Sequence, residues 1–349
     1  MNNSKQAILI TGGAGYIGSH TITELLETTN YEVISVDNFS NSSPSVYDRI
    51  NKITGKNIIS YTVDINNIQD LEQVFSAHKN IVGIIHFAAY KAVHESVEDP
   101  IRYYRNNLVS LINILDCSKR FGVKNIIFSS SCTVYGNIKT LPVTENTEVN
   151  AAESPYGATK IMGEEILRDF IKSSASHKGI SLRYFNPVGA HKSGLIGEDP
   201  RNKPNNLVPI ITQFVSGLLP DMFVYGNDYP TKDGTCIRDY IHVSDIATAH
   251  IKALNFLLQK ESAIYEVFNL GSGTGCSVME VIQSFEKVSN TKVNYKIGAR
   301  RNGDVVAIYS NSSKAQSILG WKAEYNLDDM MLSAWKWQQN NNKEKKVIS

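Results

Sequence analysis

The chain reads as an α/β protein, a doubly wound parallel sheet carrying a smaller α/β lobe. Three observations predict this. Short apolar runs alternate with segments of helical spacing through the first half, a glycine-rich turn follows the first run, and Gly, Pro, Asn and Asp begin to crowd near residue 185. Buried strands separated by amphipathic helices imply crossovers, and crossovers imply parallel pairing with both faces covered.

Strands are expected over 7–10, 32–36, 58–62, 82–87, 125–128 and 180–183, with helices over 16–27, 68–78, 101–121 and 155–173. Together they make a first domain over 1–185. A second domain, 186–338, is loop-rich over 186–206 and 226–234, with helices over 207–217, 251–258 and 278–287. A strand over 265–269 is placed to return to the main sheet. The polar tail 339–349 has little to bury and is expected to fray.

At 349 residues the chain is long enough for two domains and a large core. A net charge of +1 supplies no field for a polyanion, so nucleic acid is not expected as a partner. Cys117, Cys132, Cys236 and Cys276 show no CxxC spacing, which points to free thiols in a reducing compartment and to no metal site. The apolar run 7–10 stops at Gly12, too short for a leader or a membrane span. A cytoplasmic protein without a membrane partner is expected.

The turn Thr11-Gly12-Gly13-Ala14-Gly15-Tyr16-Ile17-Gly18 leaves a strand and opens a helix. In that context Gly12 permits the tight turn, Gly15 lets backbone approach a pyrophosphate, and Gly18 lets helix and strand pack closely. The free amides and dipole of the helix N-terminus complete a dinucleotide cradle of Rossmann type. The next strand ends in Asp37, whose carboxylate suits an adenosine ribose and repels a 2′-phosphate, favouring NAD over NADP. Asp64 and Ile65 follow the third strand, where an adenine would lie. Phe87, Ala88 and Ala89 offer a slim passage after the fourth, with Lys91 beyond.

Ser154 and Pro155 suit the N-cap and first position of a helix that carries Tyr156 and Lys160 one turn apart. Ionising a tyrosine at neutral pH requires about 4 kcal/mol. A cation at about 4 Å in an effective dielectric of about 20 supplies that much, and an oxidised nicotinamide would add a second positive charge. The strand 125–128 runs into Ser129-Ser130-Ser131, which brings the Ser131 hydroxyl to a strand end where it could hold a substrate alcohol beside Tyr156. A proton and a hydride leaving one carbinol is the chemistry these groups suit.

With these residues stand Arg183-Tyr184-Phe185-Asn186-Pro187-Val188-Gly189, Gly197-Glu198-Asp199-Pro200, Tyr225-Gly226-Asn227-Asp228-Tyr229-Pro230 and Arg238-Asp239-Tyr240-Ile241-His242. Over residues 7–338 the chain resembles the extended short-chain dehydrogenase/reductase family, and within it the sugar-nucleotide 4-epimerases. The resemblance implies reversible interconversion of UDP-glucose and UDP-galactose through a 4-keto sugar, with NAD regenerated each turnover. It adds Tyr16, Ile17, Asn38, Asn106, Ser129 and Tyr184 to the cofactor residues. It sets Phe185, Asn186, Asn206, Leu207, Tyr225 and Tyr240 along the sugar nucleotide, Arg238 and Arg301 on its diphosphate, and Asp304 on its ribose. It also implies a homodimer joined through helices near 101–121 and 155–173.

Two positions depart from the family pattern. Ile308 falls where hexose-restricted members tend to carry tyrosine and acceptors of N-acetylated sugars a smaller residue, so a preference for the non-acetylated pair is expected. A UDP-N-acetylglucosamine or bifunctional epimerase is the alternative. His94 replaces a glycine and reads as a surface or packing residue. A dehydratase or decarboxylase on this scaffold is disfavoured because Ser131 is followed by Cys132 and Thr133 rather than by an acidic pair. A silent NAD-binding protein would have lost Tyr156 or Lys160.

Overall fold

Alternation along the first strands decides the layering. In β1 (Ala7–Thr11) Ile8 and Ile10 face one side with Ile85, Ile127 and Leu254, while Ala7 and Leu9 face the other with Ile34, Ile84, Phe75 and Ile114. Each such fully buried aliphatic side chain contributes about 1.5–3 kcal/mol. Both faces are therefore covered. The computed structural model describes residues 5–138, 140–201, 204–301 and 304–348. Asn302 and Gly303, beside the predicted Arg301 and Asp304, lie outside the described residues, as does the tail residue Ser349.

The chain continues through α1 (Tyr16–Thr28), β2 (Glu32–Asp37), α2 (Ser45–Thr54), β3 (Ile59–Thr62), α3 (Ile68–Ala77), β4 (Ile81–His86), α4 (Val93–Glu98), α5 (Pro100–Phe121), β5 (Asn125–Ser131), α6 (Pro155–Lys172) and β6 (Lys178–Tyr184). Then come β7 (Asn186–Val188), α7 (Leu207–Val215), β8 (Phe223–Tyr225), β9 (Ile237–His242), α8 (Val243–Leu258), β10 (Ile264–Leu270) and β11 (Gly275–Ser277). The last elements are α9 (Val278–Ser289), β12 (Lys296–Gly298), β13 (Ala307–Ile308), α10 (Ser313–Leu319) and α11 (Leu327–Ile348).

Seven parallel strands form the main sheet in the order β10-β6-β5-β4-β1-β2-β3. The strand near 265–269 is thus its edge, β10. Chain order runs outward from β1 through β2 to β3, then returns to the other side of β1 with β4. The reversal between β1 and β4 opens a crevice at the carboxyl ends of the strands, where doubly wound sheets bind ligands. A smaller sheet centred on β9 pairs with β11, β13 and β7, and β8 pairs with β12. Val188, Val208, Ile211, Tyr240, Phe285 and Met331 make the core beneath it.

Three expectations need correction. Helix α8 begins at Val243 rather than near 251, because His242 Nδ1 accepts from Ser244 N at 3.0 Å and caps it. Helices α2, α4, α10 and α11 and strands β7, β8, β9, β11, β12 and β13 were not foreseen as elements. The polar tail after 338 is helical, since α11 runs to Ile348 and Asn341 in it is buried. Its polar side chains are buried through hydrogen bonds. Asn341 donates to Asp199 Oδ1 (3.1 Å), Asn340 to the Gly194 carbonyl (3.1 Å), and Thr212 Oγ1 to Gln338 Oε1 (3.3 Å). Among the described residues no helix is long and apolar enough to cross a membrane. All four cysteines are free.

Burial holds four histidines neutral: His20 and His86 are lowered to about 3, His242 and His250 to about 4. The unfolded chain takes up these protons below its ordinary 6.5 while the fold does not, so stability is full above that pH and is lost as pH falls towards 4. Asp245, pushed up to about 6 by burial, and Glu24, also raised by burial, work the other way but are outnumbered. Thermal melts are therefore expected to show a lower midpoint at about pH 5 than at about pH 7.5, and equal midpoints would contradict this origin.

Candidate active site

The crevice floor is a close approach of two loops. Gly12 takes φ +68°, and a Cβ there would meet Ala88 N at 2.8 Å and Ala88 Cα at 2.9 Å. A Cβ at Gly18 would lie 2.3 Å from the Gly12 carbonyl, whereas at Gly15 it would meet only that carbonyl, at 3.2 Å. Above Gly15 the space is open. No side chain caps α1 at Gly15, so its first-turn amides are left facing the crevice. These features fit a bound pyrophosphate.

Asp37 does more local work than its ribose role suggests. Its Oδ2 accepts from Ala14 N at 3.0 Å, and its Oδ1 accepts from Phe39 N (2.8 Å) and Ser42 Oγ (2.9 Å). The carboxylate thus ties the glycine turn to the loop after β2, and Asn38 Oδ1 turns that loop by accepting from Ser40 N. Asp64 Oδ1 accepts from Asn66 N and Nδ2, both at 2.9 Å, and Asn66 reaches Asn106 Oδ1 at 3.1 Å. Ile65 is buried against β1 and β2. Phe87 packs on His250 at 4.7 Å between ring centroids. Ala88 N donates to Thr11 Oγ1 at 3.3 Å, just before Ala89. Lys91 pairs with Glu198 at 3.2 Å and lies 6.0 Å from the Tyr16 ring, whose hydroxyl donates to the Gly189 carbonyl. Ile17 packs against the sheet core.

At the next strand end β5 delivers its serines. Ser154 Oγ accepts from Gly157 N at 3.1 Å and Pro155 takes the first turn, the helix start read from sequence. Lys160 Nζ donates to the Ser129 carbonyl at 2.7 Å and sits 5.7 Å from the Tyr156 ring centroid. Burial dominates the electrostatics here. Burial pushes the Tyr156 phenol up to about 12, the Ser131 hydroxyl bonded to it pulls down, and Cys132 raises it further. Burial also lowers Lys160 to about 8, against Glu164. The Lys160 amine is buried and directed at the Ser129 carbonyl rather than at the phenol, and Tyr156 is itself only half-buried. Burial likewise raises Cys132 to about 12, leaving its thiol inert. Tyr184 is spoken for, its hydroxyl bonded to Ser129 Oγ (2.6 Å) and His250 Nε2 (2.7 Å).

The smaller sheet brings in the third group. Pairing of β13 with β9 sets Ile308 beside Arg238, and Ile308 is buried with Phe185, Val134 and Tyr135. Arg238 donates to the Val305 carbonyl at 2.8 Å and pairs with Asp304 at 3.2 Å. Asp304, expected on a ribose, thus has a guanidinium partner. Arg301 stacks on Tyr225, its guanidinium carbon 4.2 Å from the ring centroid. Asn186 opens β7 opposite the buried Tyr240. Asn206 Nδ2 donates to Glu198 Oε1 at 2.7 Å, and Leu207 begins α7. One carboxylate, Glu198, therefore joins Lys91 to Asn206. His94 is exposed beside Glu98.

A family model described as GDP-mannose 4,6 dehydratase matches residues 9–333. The UDP-glucose 4-epimerase of Bacillus subtilis (strain 168) is 48% identical over 335 residues, covering 96% of this chain and 97% of its own. That of Haemophilus influenzae is 49% identical over 337 residues, 97% and 98% of the two chains. The chain belongs to the UDP-glucose 4-epimerase family. Among solved structures, the family member from Bifidobacterium longum, in complex with NAD+ and UDP, is 48% identical with a TM-score of 0.92 over 97% of this chain and 99% of that one. The member from Stenotrophomonas maltophila, with bound NAD and formylated UDP-arabinopyranose, is 43% identical with a TM-score of 0.93 over 97% and 99%.

Reading by motif missed several participants. Glu164 follows Lys160 by one helical turn, a spacing visible in the sequence. Arg183 is a charge inside an apolar strand, which signals a buried partner. Glu198 stood in a family motif, but its bridge between Lys91 and Asn206 carried no local signal because these partners are distant in the chain.

Gly12→Ala is expected to break the loop approach, since strain at a positive φ adds about 1–3 kcal/mol to the contact with Ala88. Dinucleotide content of the purified variant, read by absorbance, is expected to fall well below that of the unaltered protein.

Proposed function

We propose that this family member interconverts UDP-glucose and UDP-galactose by inverting C4, using NAD that stays bound. NAD, when held over the glycine turn, would take hydride from C4 and give it back. Tyr156 would take the 4-hydroxyl proton as the 4-keto sugar forms and return it after the sugar presents its other face. Ser131 would hold the reacting oxygen. The observation that carries this reading is the Ser131–Tyr156–Lys160 group at a strand end adjoining the glycine cradle.

Burial supports the electrostatic side. A phenol pushed up to about 12 is a poor base until positive charge arrives close by, and an oxidised nicotinamide brings one. Proton abstraction would then be coupled to cofactor occupancy. Gly12, Gly15, Gly18, Asp37 and Lys91 would hold the dinucleotide. Arg238 and Arg301 would clamp the diphosphate, with Asn186, Asn206 and Tyr225 along the nucleotide and Phe185 and Ile308 walling the hexose. The strand serine is followed by Cys132 and Thr133, which supply no acid–base pair for dehydration. We place the enzyme in the cytoplasm.

Purified protein is expected to convert UDP-galactose without added NAD, and Tyr156→Phe to slow this by roughly 10²–10⁴-fold. Net accumulation of NADH, or full speed in the variant, would overturn the reading. Run with the N-acetylated pair, the same assay is expected to be slower, and Ile308→Ser to narrow the gap.

A homodimer through α5 and α6 is supported by Ile101, Val109, Ile112 and Met162, large apolar side chains left exposed on these neighbouring helices. Sedimentation is expected to give a dimer that Ile112→Asp weakens; a monomer at every concentration would refute it.

A further inference from the structure

We propose that Glu164 is a positioning residue for proton transfer at Tyr156, its carboxylate anchored by Arg183 and Ser130 so that it keeps the Lys160 amine charged and in place. The inference rests on the reading of Tyr156 as the base. Lys160 is buried, and its amine donates to a carbonyl, not to a carboxylate. A buried ammonium without countercharge is costly and tends to shed its proton. Glu164 stands one turn along α6 on the same buried face.

Its geometry is that of a clamp. Arg183 donates from Nε to Oε1 at 2.9 Å and from Nη2 to Oε2 at 2.7 Å, a bidentate pair between α6 and β6. Ser130 Oγ donates to Oε1 from β5 at 2.5 Å. Ser130 lies between Ser129, whose carbonyl receives the Lys160 amine, and Ser131, whose hydroxyl meets Tyr156. One carboxylate thus sets α6 against the strand segment that holds both partners. Arg183 is fixed in turn, its Nη1 donating to Tyr135 Oη at 3.0 Å and Tyr135 to Asn269 Oδ1 at 2.6 Å. Burial works against the Arg183 charge, but Glu164 beside it holds the guanidinium protonated.

The groups around the amine are few. Tyr156 and Glu164 face it from α6, and the Phe128 ring and Ser129 carbonyl from β5. His86, kept neutral by burial, faces it from β4. Arg183 and Tyr184 stand on β6, Tyr265 of β10 feels Glu164, and Cys132 feels Tyr156. Glu164 is the group among them whose negative charge opposes the loss of the Lys160 proton.

The test titrates the near-ultraviolet phenolate band of the holoenzyme, with Tyr156→Phe as the control that must lack it. Glu164→Gln is expected to retain NAD and to bind UDP as the unaltered protein does. Its phenolate midpoint should rise by about one pH unit, with kcat about tenfold lower. Glu164→Asp, which keeps the charge, should leave the midpoint in place. Unchanged midpoint and kcat in Glu164→Gln, or an equal shift in Glu164→Asp, would overturn the proposal. If Glu164→Gln does not fold, Ser130→Ala decides, because it cuts the carboxylate's tie to β5 with its charge and its Arg183 pair intact. Lower kcat at unchanged UDP affinity is expected, and unchanged kcat counts against the clamp. A control that keeps the band and full activity would instead overturn the assignment of Tyr156.

Discussion

Everything at the carboxyl edge of the sheet depends on how closely two loops meet where strand order reverses. Chain leaving β1 turns back at Gly12 with its backbone against Ala88, the residue after β4 and Phe87. No side chain fits between them. That contact brings the start of α1 over the crevice and lets Asp37 tie the turn from the far side through Ala14 N. It also sets the β4 loop, and with it Lys91, against the loop between β7 and α7 through Glu198. A bulkier floor would separate the phosphate cradle from the serines of β5, and the site would become two unrelated pockets.

Beside that floor lie the groups proposed to react, Lys160 buried and Tyr156 and Cys132 half-buried. The phenol, the amine and the Cys132 thiol are all driven towards their neutral forms by burial. A site of this kind is quiet by default, and its acid–base character is set by whichever charges are placed inside it. Arg183 and Glu164 are permanent charges of that sort, and a cationic cofactor would be a removable one. The substrate side keeps its own charges in reserve, with Arg238 paired to Asp304 and Arg301 lying on an aromatic ring. An incoming diphosphate would compete for guanidinium groups already oriented, Arg238 largely buried and Arg301 exposed, which lowers the ordering cost of binding.

What was legible in the sequence obeys local rules. The glycine turn, the Ser154 cap with Pro155, and the one-turn spacing of Tyr156 and Lys160 are each set by residues within a few positions, and the structure reproduces all three. Strand and helix alternation likewise yielded the layers. What was not legible joins distant residues: Arg238 to Asp304, Arg183 to Glu164, Lys91 to Glu198 to Asn206. The direction of the Lys160 amine was hidden for a related reason. Spacing on a helix fixes which face a lysine shares, but whether its amine turns to the phenol or to a strand carbonyl depends on the sheet beneath. The start of α8 was lost because a histidine caps it. The tail was misread because amide burial leaves no apolar trace.

That tail has a structural reach its composition conceals. Gly197, the neighbour of Glu198, lies so close to Trp337 of α11 that a Cβ would fall 2.4 Å from the ring, and the Trp337 indole donates to the Glu198 carbonyl at 3.1 Å. Asn340 and Asn341 pin the rest of the same loop. The final helix is therefore the scaffold behind the carboxylate that bridges the two halves of the site. Proteolytic trimming or an appended sequence that unseated α11 would register in the pocket, far along the chain from any residue that touches a ligand.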